Sequence, residues 1–310
     1  MSQAFQHRPV MLDEVVATFA PVPPGVLIDA TLGGAGHARA LLEAHPHLRL
    51  LGMDRDQAAL AAASAALAPF GDRVAGLEHA RFDRITEIAE RAALPVSAVL
   101  FDLGVSSPQL DQAERGFSYR LDSPLDMRMD RSTGRTAADV VNATTELELT
   151  RLIADSGERR FARRIARRIV ERRPLSTTVE LAEVVRDAIP AAGRRTGGHP
   201  ARRVFQAIRI AVNDELEILG PALDAALALL APEGRCLVLA YHSGEDRIVK
   251  ERFAEAASGG CVCPPTLPCV CGAQPTVRLL TRGARKPSAA EVAVNRRAES
   301  ARLRACERLP

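Results

Sequence analysis

The stretch Gly25 to Arg39, GVLIDATLGGAGHAR, decides how the rest of the chain is read. Three apolar residues, Val26 to Ile28, make a short buried strand that ends in an acid. Gly33, Gly34 and Gly36 then let the backbone turn tightly and approach a ligand with no Cβ in the way, and His37 to Ala44 read as a helix. Strand, glycine turn and helix gather backbone N–H groups and the positive end of a helix dipole at one point, a setting for a nucleotide-like ligand. The next strand, Leu48 to Met53, ends at Asp54, an acid eighteen residues after Gly36 that is placed to accept hydrogen bonds from ribose hydroxyls. The same residues also fit an ordinary left-handed turn with Asp54 capping the following helix. GGAGH lacks the third glycine of GxGxxG, so no pyrophosphate seat is specified, and S-adenosylmethionine suits the turn better than NAD.

Beyond Asp54 the pattern runs helix (Gln57 to Leu67), strand (Val74 to His79), helix (Arg84 to Ala92), strand (Ala98 to Leu103). Strands alternating with helices predict βαβ units and a parallel, doubly wound sheet. Ligands of such sheets sit beyond the carboxyl ends of the strands, which places Gly36, Asp54, Phe82 and Asp102 along one edge. From Asp111 to about Gly220 the strand signal gives way to helices: from Thr136, Thr145 to Asp155, Glu158 to Arg173 before Pro174, Thr178 to Ala188 before Pro190, and Ala201 to Leu219. Residues 111–220 are therefore expected to form an all-helical insertion, and 1–110 with 221–310 a discontinuous ligand-binding domain. Gly234 to Ala240 returns the chain to the sheet, Thr276 to Thr281 reads as a strand, and Ala301 to Glu307 alternates as an edge-region strand does.

With 310 residues and 47% hydrophobic content, the chain can bury one large core plus a smaller unit. A formal charge of +3 is too small to identify a nucleic-acid partner. Lys250 and Lys286 are the only lysines, so the positive charge is nearly all arginine. A GC-rich genome produces that bias without functional cause, although arginine also suits phosphate geometry. The start, MSQAFQHRPVMLDE, does not read as a signal peptide. No apolar run reaches the ~20 residues of a membrane span. A cytoplasmic protein is expected, its cysteines thiols or metal ligands.

HRPVML, DATLGGAGH, MDRD, FDLGVSSPQLDQAERGFSYR, PLDMRMD, GERRFARRIARRIV, VFQAIRIAVNDELE and HSGEDRIVK lie in this order along nearly the whole chain. Together they closely resemble the bacterial MraW (RsmH) methyltransferases. The resemblance implies an α/β class I S-adenosylmethionine methyltransferase fold, a Rossmann-like doubly wound sheet with an inserted all-helical domain for RNA recognition. It implies methyl transfer to the exocyclic N4 of a cytidine in the decoding region of 16S rRNA, with the small ribosomal subunit as partner, and it permits a homodimer. Carried over by position, the family's cofactor contacts fall on Ala35, Gly36, His37, Asp54, Phe82, Asp102 and Gln109.

All of these but Gln109, a polar amide at the cleft mouth, also have a specific physical rationale. The amides of residues 35–37 meet a carboxylate, Asp54 binds ribose, Phe82 packs on adenine, and Asp102 accepts from an ammonium or an amine. DNA amino-methyltransferases resembling this fold carry a D/N/S-Pro-Pro-aromatic motif after the fourth strand. Here Asp102-Leu103-Gly104-Val105-Ser106-Ser107-Pro108 lacks both the aromatic and the Pro-Pro, so their mechanism does not transfer directly. Asp102 is the one candidate catalytic residue, expected between donor and target amine. His7 and the His242-Ser243 pair are candidate base contacts that fit a structural role as well.

Two further clusters stand out. In Glu158 to Arg173, Arg160, Arg164 and Arg168 run beside Arg159, Arg163 and Arg167, with Phe161, Ile165 and Ile169 on the other side; with Arg194, Arg195, Arg202 and Arg203 they form a candidate RNA-binding face, against the plain reading of a solvated face. Cys261, Cys263, Cys269 and Cys271 form CxC-x5-CxC in a Pro-rich loop, either one tetrahedral zinc site or surface thiols; Cys236 and Cys306 read as core. Methyl transfer to a protein or small molecule, and a ribosome-assembly module that binds RNA without turnover, are the competing functions.

Overall fold

The structure, a computed structural model, describes residues 9–91, 94–190, 199, 201–264 and 270–310. The chain divides into two compact units, residues 1–104 with 216–310, and residues 105–215.

In the first unit, α1 (Leu12–Phe19) precedes β1 (Gly25–Asp29), α2 (Gly36–Ala44), β2 (Leu48–Asp54), α3 (Gln57–Leu67), β3 (Val74–His79), α4 (Ile85–Ala89) and β4 (Val96–Asp102). The second unit contains α5 (Ser107–Asp111), α6 (Ala137–Ala143), α7 (Glu146–Asp155), α8 (Ala162–Glu171), α9 (Thr178–Ala188) and α10 (Ala201–Asn213). The chain then supplies α11 (Glu215–Leu229), β5 (Leu230–Ala240), α12 (Ser243–Ser258), β6 (Val277–Leu279), α13 (Ala289–Val294) and β7 (Arg302–Arg308).

The seven strands form one sheet in the order β3-β2-β1-β4-β5-β7-β6. The first five are parallel, and β7 runs antiparallel to both β5 and β6. This is the class I, Rossmann-like methyltransferase fold implied by the sequence. Strand order reverses between β1 and β4, which makes that edge the ligand crevice of a doubly wound sheet.

The central strands read as unbroken apolar runs because both of their faces are covered. Val26, Ile28, Phe101 and Val238 point into one core with α4, α11 and α12, whereas Leu27, Leu100, Leu237 and Leu239 point into the other with α1, α2 and α3.

β7 corrects one expectation. It lies inside the sheet with Leu303, Ala305 and Cys306 fully buried, and the three-residue β6 is the edge instead. The helix expected over Ala201 to Leu219 breaks at Asp214, whose φ is 53°. Asn213 explains the break: its Oδ1 accepts the Met129 N–H at 2.9 Å and its amide nitrogen donates to the Met127 carbonyl at 2.8 Å.

The second unit has its own core, built from Ile153, Ile165, Ile169, Leu181, Val185, Val204 and Ile208 among others. Three of its helices start with a threonine that accepts the N–H of a residue three places on, while that residue's carboxylate accepts the threonine N–H: Thr136 with Asp139, Thr145 with Glu148 and Thr177 with Glu180.

Candidate active site

Asp29, Asp54 and Asp102 end β1, β2 and β4, which are neighbours in the sheet, so three carboxylates stand side by side on its carboxyl edge. Asp29 is buried at 1% exposure and accepts the Thr31 N–H at 3.1 Å. Burial pushes its carboxyl up to about 7; His37 and the Thr31 amide pull it down, and the like charges of Asp102 and Asp54 push it further up. Asp54 accepts the Gly33 N–H at 2.7 Å and the Asp56 N–H at 2.8 Å, bonds that tie the glycine turn to β2. Burial raises Asp54 as well, against those two donors.

The turn delivers α2 with its first amides at this edge. Its N-cap is Ala35, held at φ 62° with no side-chain oxygen to satisfy the helix start. Left-handed backbone on a residue with a Cβ costs about 1–2 kcal/mol, and such strain concentrates where a ligand is bound. The contrast with the threonine-capped helices of the second unit is direct: here the first-turn amides are offered to an anion.

His37 in that first turn is buried, with Nε2 2.9 Å from the Val10 carbonyl and Nδ1 3.4 Å from Asp102 Oδ2. A carbonyl only accepts, so Nε2 carries a proton, and a second proton on Nδ1 turns the ring into a cation facing Asp102. Burial opposes that charge, but the Asp102 carboxylate, the Val10 carbonyl and Asp29 raise His37 above its ordinary value.

The other oxygen of Asp102 accepts the Tyr241 hydroxyl at 2.6 Å, and the Asp102 N–H donates to Thr31 Oγ1 at 2.6 Å. Burial and the Asp102 carboxylate push the Tyr241 phenol well above its usual range. Gly104, at φ 96°, lets the chain leave β4 beside the Tyr241 ring, which would lie 3.3 Å from an added Cβ. Tyr241 therefore supplies an aromatic group from the end of β5 where the segment after Asp102 has none. Nothing local in the sequence marked it; only the adjacency of β4 and β5 does.

Phe82 follows β3 with its ring partly exposed, meeting Phe101 edge-on at 5.8 Å. Gln109 lies in α5 of the second unit, buried, with Oε1 accepting the Ser106 N–H at 3.0 Å. His242 caps α12: its Nδ1 accepts the Gly244 and Glu245 amides, and its Nε2 lies 3.1 Å from Glu245 Oε1. That is the structural one of its two expected roles.

Arg159, Arg160, Arg163, Arg164, Arg167 and Arg168 are all exposed, while Ile165 and Ile169 are buried. Cys261, Cys263 and Cys271 come together in the first unit. His7, Arg194, Arg195 and Cys269 lie outside the described residues.

S-adenosylmethionine carries an ammonium, a sulfonium, a carboxylate, ribose hydroxyls and an aromatic base. The donor set at the sheet edge suits such a molecule: acids for the cations and hydroxyls, uncapped amides for the carboxylate, and a half-exposed ring for the base.

Comparison with known proteins gives the same direction. The model of the MraW methylase family matches residues 4–309. The chain is similar to the Ribosomal RNA small subunit methyltransferase H of Thermobifida fusca, with 55% identity over 99% of this chain and 94% of that protein. It is similar to the protein of the same name in Heliobacterium modesticaldum, with 50% identity over 98% of this chain and 99% of that one. With this agreement along its whole length, the chain belongs to the MraW methylase family.

Proposed function

We propose that this chain transfers the methyl group of S-adenosylmethionine to the exocyclic N4 of a cytidine in small-subunit ribosomal RNA, in the decoding region that the family resemblance implies. The observation that supports the donor site is the row of carboxylates at the tips of β1, β2 and β4 beside a helix start that no side chain caps. In this reading the amides of Ala35, Gly36 and His37 hold the donor's carboxylate, Asp54 takes the ribose hydroxyls, Phe82 packs on the adenine, and Asp102 faces the reacting groups. Gln109 joins this set on the resemblance alone.

The bound donor supplies an electrophilic methyl on a sulfonium that departs as a neutral thioether. The work left to the protein is mostly positioning. The lone pair of the cytosine amine is delocalised into its ring, so an acceptor must hold the N–H as the nitrogen becomes tetrahedral. Asp102 is that acceptor: Tyr241 fixes one carboxylate oxygen, and the other takes the amine N–H and then the proton that the neutral product must shed. The target base has to be unpaired or flipped out to reach this edge, and the arginine face of α8 is read as a surface for RNA phosphates.

Incubating the protein with labelled donor and either isolated small subunits or naked rRNA, then digesting the RNA to nucleosides, tests the proposal. N4-methylcytidine is expected. Label recovered only in protein, or in neither fraction, would overturn it.

A further inference from the structure

Among its described residues, the loop between α12 and β6 buries no aliphatic side chain in a core of its own. Val262 and Val270, its two aliphatic residues in the paired Cys-Val-Cys segments, are 87% and 89% exposed. Its base is nonetheless closed: the Thr276 N–H donates to the Ala256 carbonyl at 2.9 Å, and Gly259 lies so close to Gln274 that an added Cβ would stand 2.3 Å from its backbone carbon. Chain ordered at both ends with apolar side chains turned outward needs something other than hydrophobic burial to hold its middle.

Among the described residues, the middle holds three sulfurs. The Sγ atoms of Cys261, Cys263 and Cys271 all lie within 4.8 Å of one another, and Cys261 Sγ is 3.7 Å from Cys271 Sγ. That separation is far beyond the ~2.05 Å of a disulfide. It equals the edge of a tetrahedron whose corners stand 2.3 Å from its centre, about 3.8 Å, the zinc–thiolate geometry. In the Cys261-Val262-Cys263 segment the valine faces solvent, as alternation requires when the flanking sulfurs converge on one point.

We propose that Cys261, Cys263 and Cys271 bind a structural zinc ion that pins this loop. The three thiols release their protons on binding, as thiolate ligation requires. Soft sulfur donors in tetrahedral array select zinc over the hard cations. The site lies outside the row of strand-tip carboxylates and takes no part in methyl transfer. Its function is to fix the chain between α12 and β6.

Metal analysis of the full-length, tag-free protein after exhaustive dialysis tests this directly. About one zinc per chain is expected, as for a structural site that holds its ion through purification. Less than about a tenth of an equivalent, iron in place of zinc, or a mass two hydrogens short that marks a disulfide, would overturn it. The double variant Cys261→Ser, Cys271→Ser should lose the zinc while its affinity for S-adenosylmethionine stays within about twofold, because the ligands serve the loop alone. A folded variant that keeps its zinc also refutes the site. Should that variant not fold, cobalt(II) titration of zinc-stripped wild type decides: saturation at one equivalent with sulfur-to-cobalt charge-transfer absorption supports the site, and its absence refutes it.

Discussion

The two oxygens of Asp102 are held unequally, one by a 2.6 Å hydrogen bond from the partly buried Tyr241 hydroxyl and the other 3.4 Å from His37 Nδ1. A carboxylate fixed on one side keeps its second oxygen aimed, which is what an acceptor for a developing ammonium needs. Asp102→Asn removes the charge but leaves a group that still accepts from Tyr241. The methylation rate should therefore fall about tenfold or more, at least 1.4 kcal/mol of barrier, and an equal rate with equal donor affinity removes Asp102 from the chemistry. Tyr241→Phe tests positioning apart from contact. It should lower kcat about tenfold while leaving KM for RNA within about twofold, the pattern of an interaction that matters in the transition state. A rise in KM alone would make Tyr241 a structural residue. The carboxylates could be read as strand tips because each ends an apolar run. Tyr241 could not, because its partner is 139 positions away and only sheet order joins them.

At the scale of elements, α8 places Arg163, Arg164 and Arg167 on solvent and Ile165 and Ile169 in the core. Glu171 pairs with Arg168 at 3.0 Å and with Arg167 at 3.9 Å, whereas among the described residues no carboxylate lies within 4.0 Å of Arg163 or Arg164. Replacing all three arginines with glutamine should weaken RNA binding and reduce the slope of log K against log salt by roughly 0.7 for each lost phosphate contact. Stability should change by less than about 1 kcal/mol, because exposed pairs contribute little. An unchanged salt slope in filter-binding or fluorescence titrations returns α8 to an ordinary solvated face. The helices of this unit were legible where a Thr-x-x-Asp/Glu box marked a start, as at Thr136, Thr145 and Thr177. They were misjudged where a distant residue intervened. Phe161 offers α8 no side-chain cap, so the helix begins four residues later than its charge pattern suggests. The long-range bonds of Asn213, with the paired Arg209–Glu215 contact at 2.7 Å, end α10 inside a continuous helical signal. The alternating polar residues of β7 look solvated and so suit an edge-region strand, yet Arg304 is paired with Asp246 of α12 and Glu307 with Arg235 of the neighbouring β5.

Over the whole molecule, the buried strand-tip acids of the first unit titrate differently from the capping and arginine-paired acids of the second. In the first, Asp29 is raised to about 7 by burial, Asp54 is raised by burial, and His37 is raised by Asp102 and Val10 against its own burial. Groups raised on folding bind protons more tightly in the native state, so their stabilisation is full at low pH and is lost as pH climbs through the folded value. For Asp29 that loss runs from its ordinary 3.8 to about 7, and His37 extends it above 6.5. In the second unit Asp139, Glu148 and Glu180 are lowered by the threonine and serine groups they bond, and Asp126 is lowered by Arg128 despite burial that opposes it. Their stabilisation is full above the ordinary carboxylate range and is lost only as pH falls below it. Between pH 5 and 8 the first unit should thus lose protection with rising pH while the second holds constant. Hydrogen exchange read peptide by peptide, corrected for intrinsic rates, checks this: amides of β1, β2 and β4 should exchange faster at pH 8 than at pH 5, and those of α7 and α9 should not. Asp29→Asn should flatten the slope of the first unit. S-adenosylmethionine should slow exchange there more at pH 8 than at pH 5, since a cationic ligand pairs best with carboxylates that have already lost their protons. Equal protection by the ligand at both pH values would separate the acid row from the donor site and leave the uncapped start of α2 to account for binding by itself.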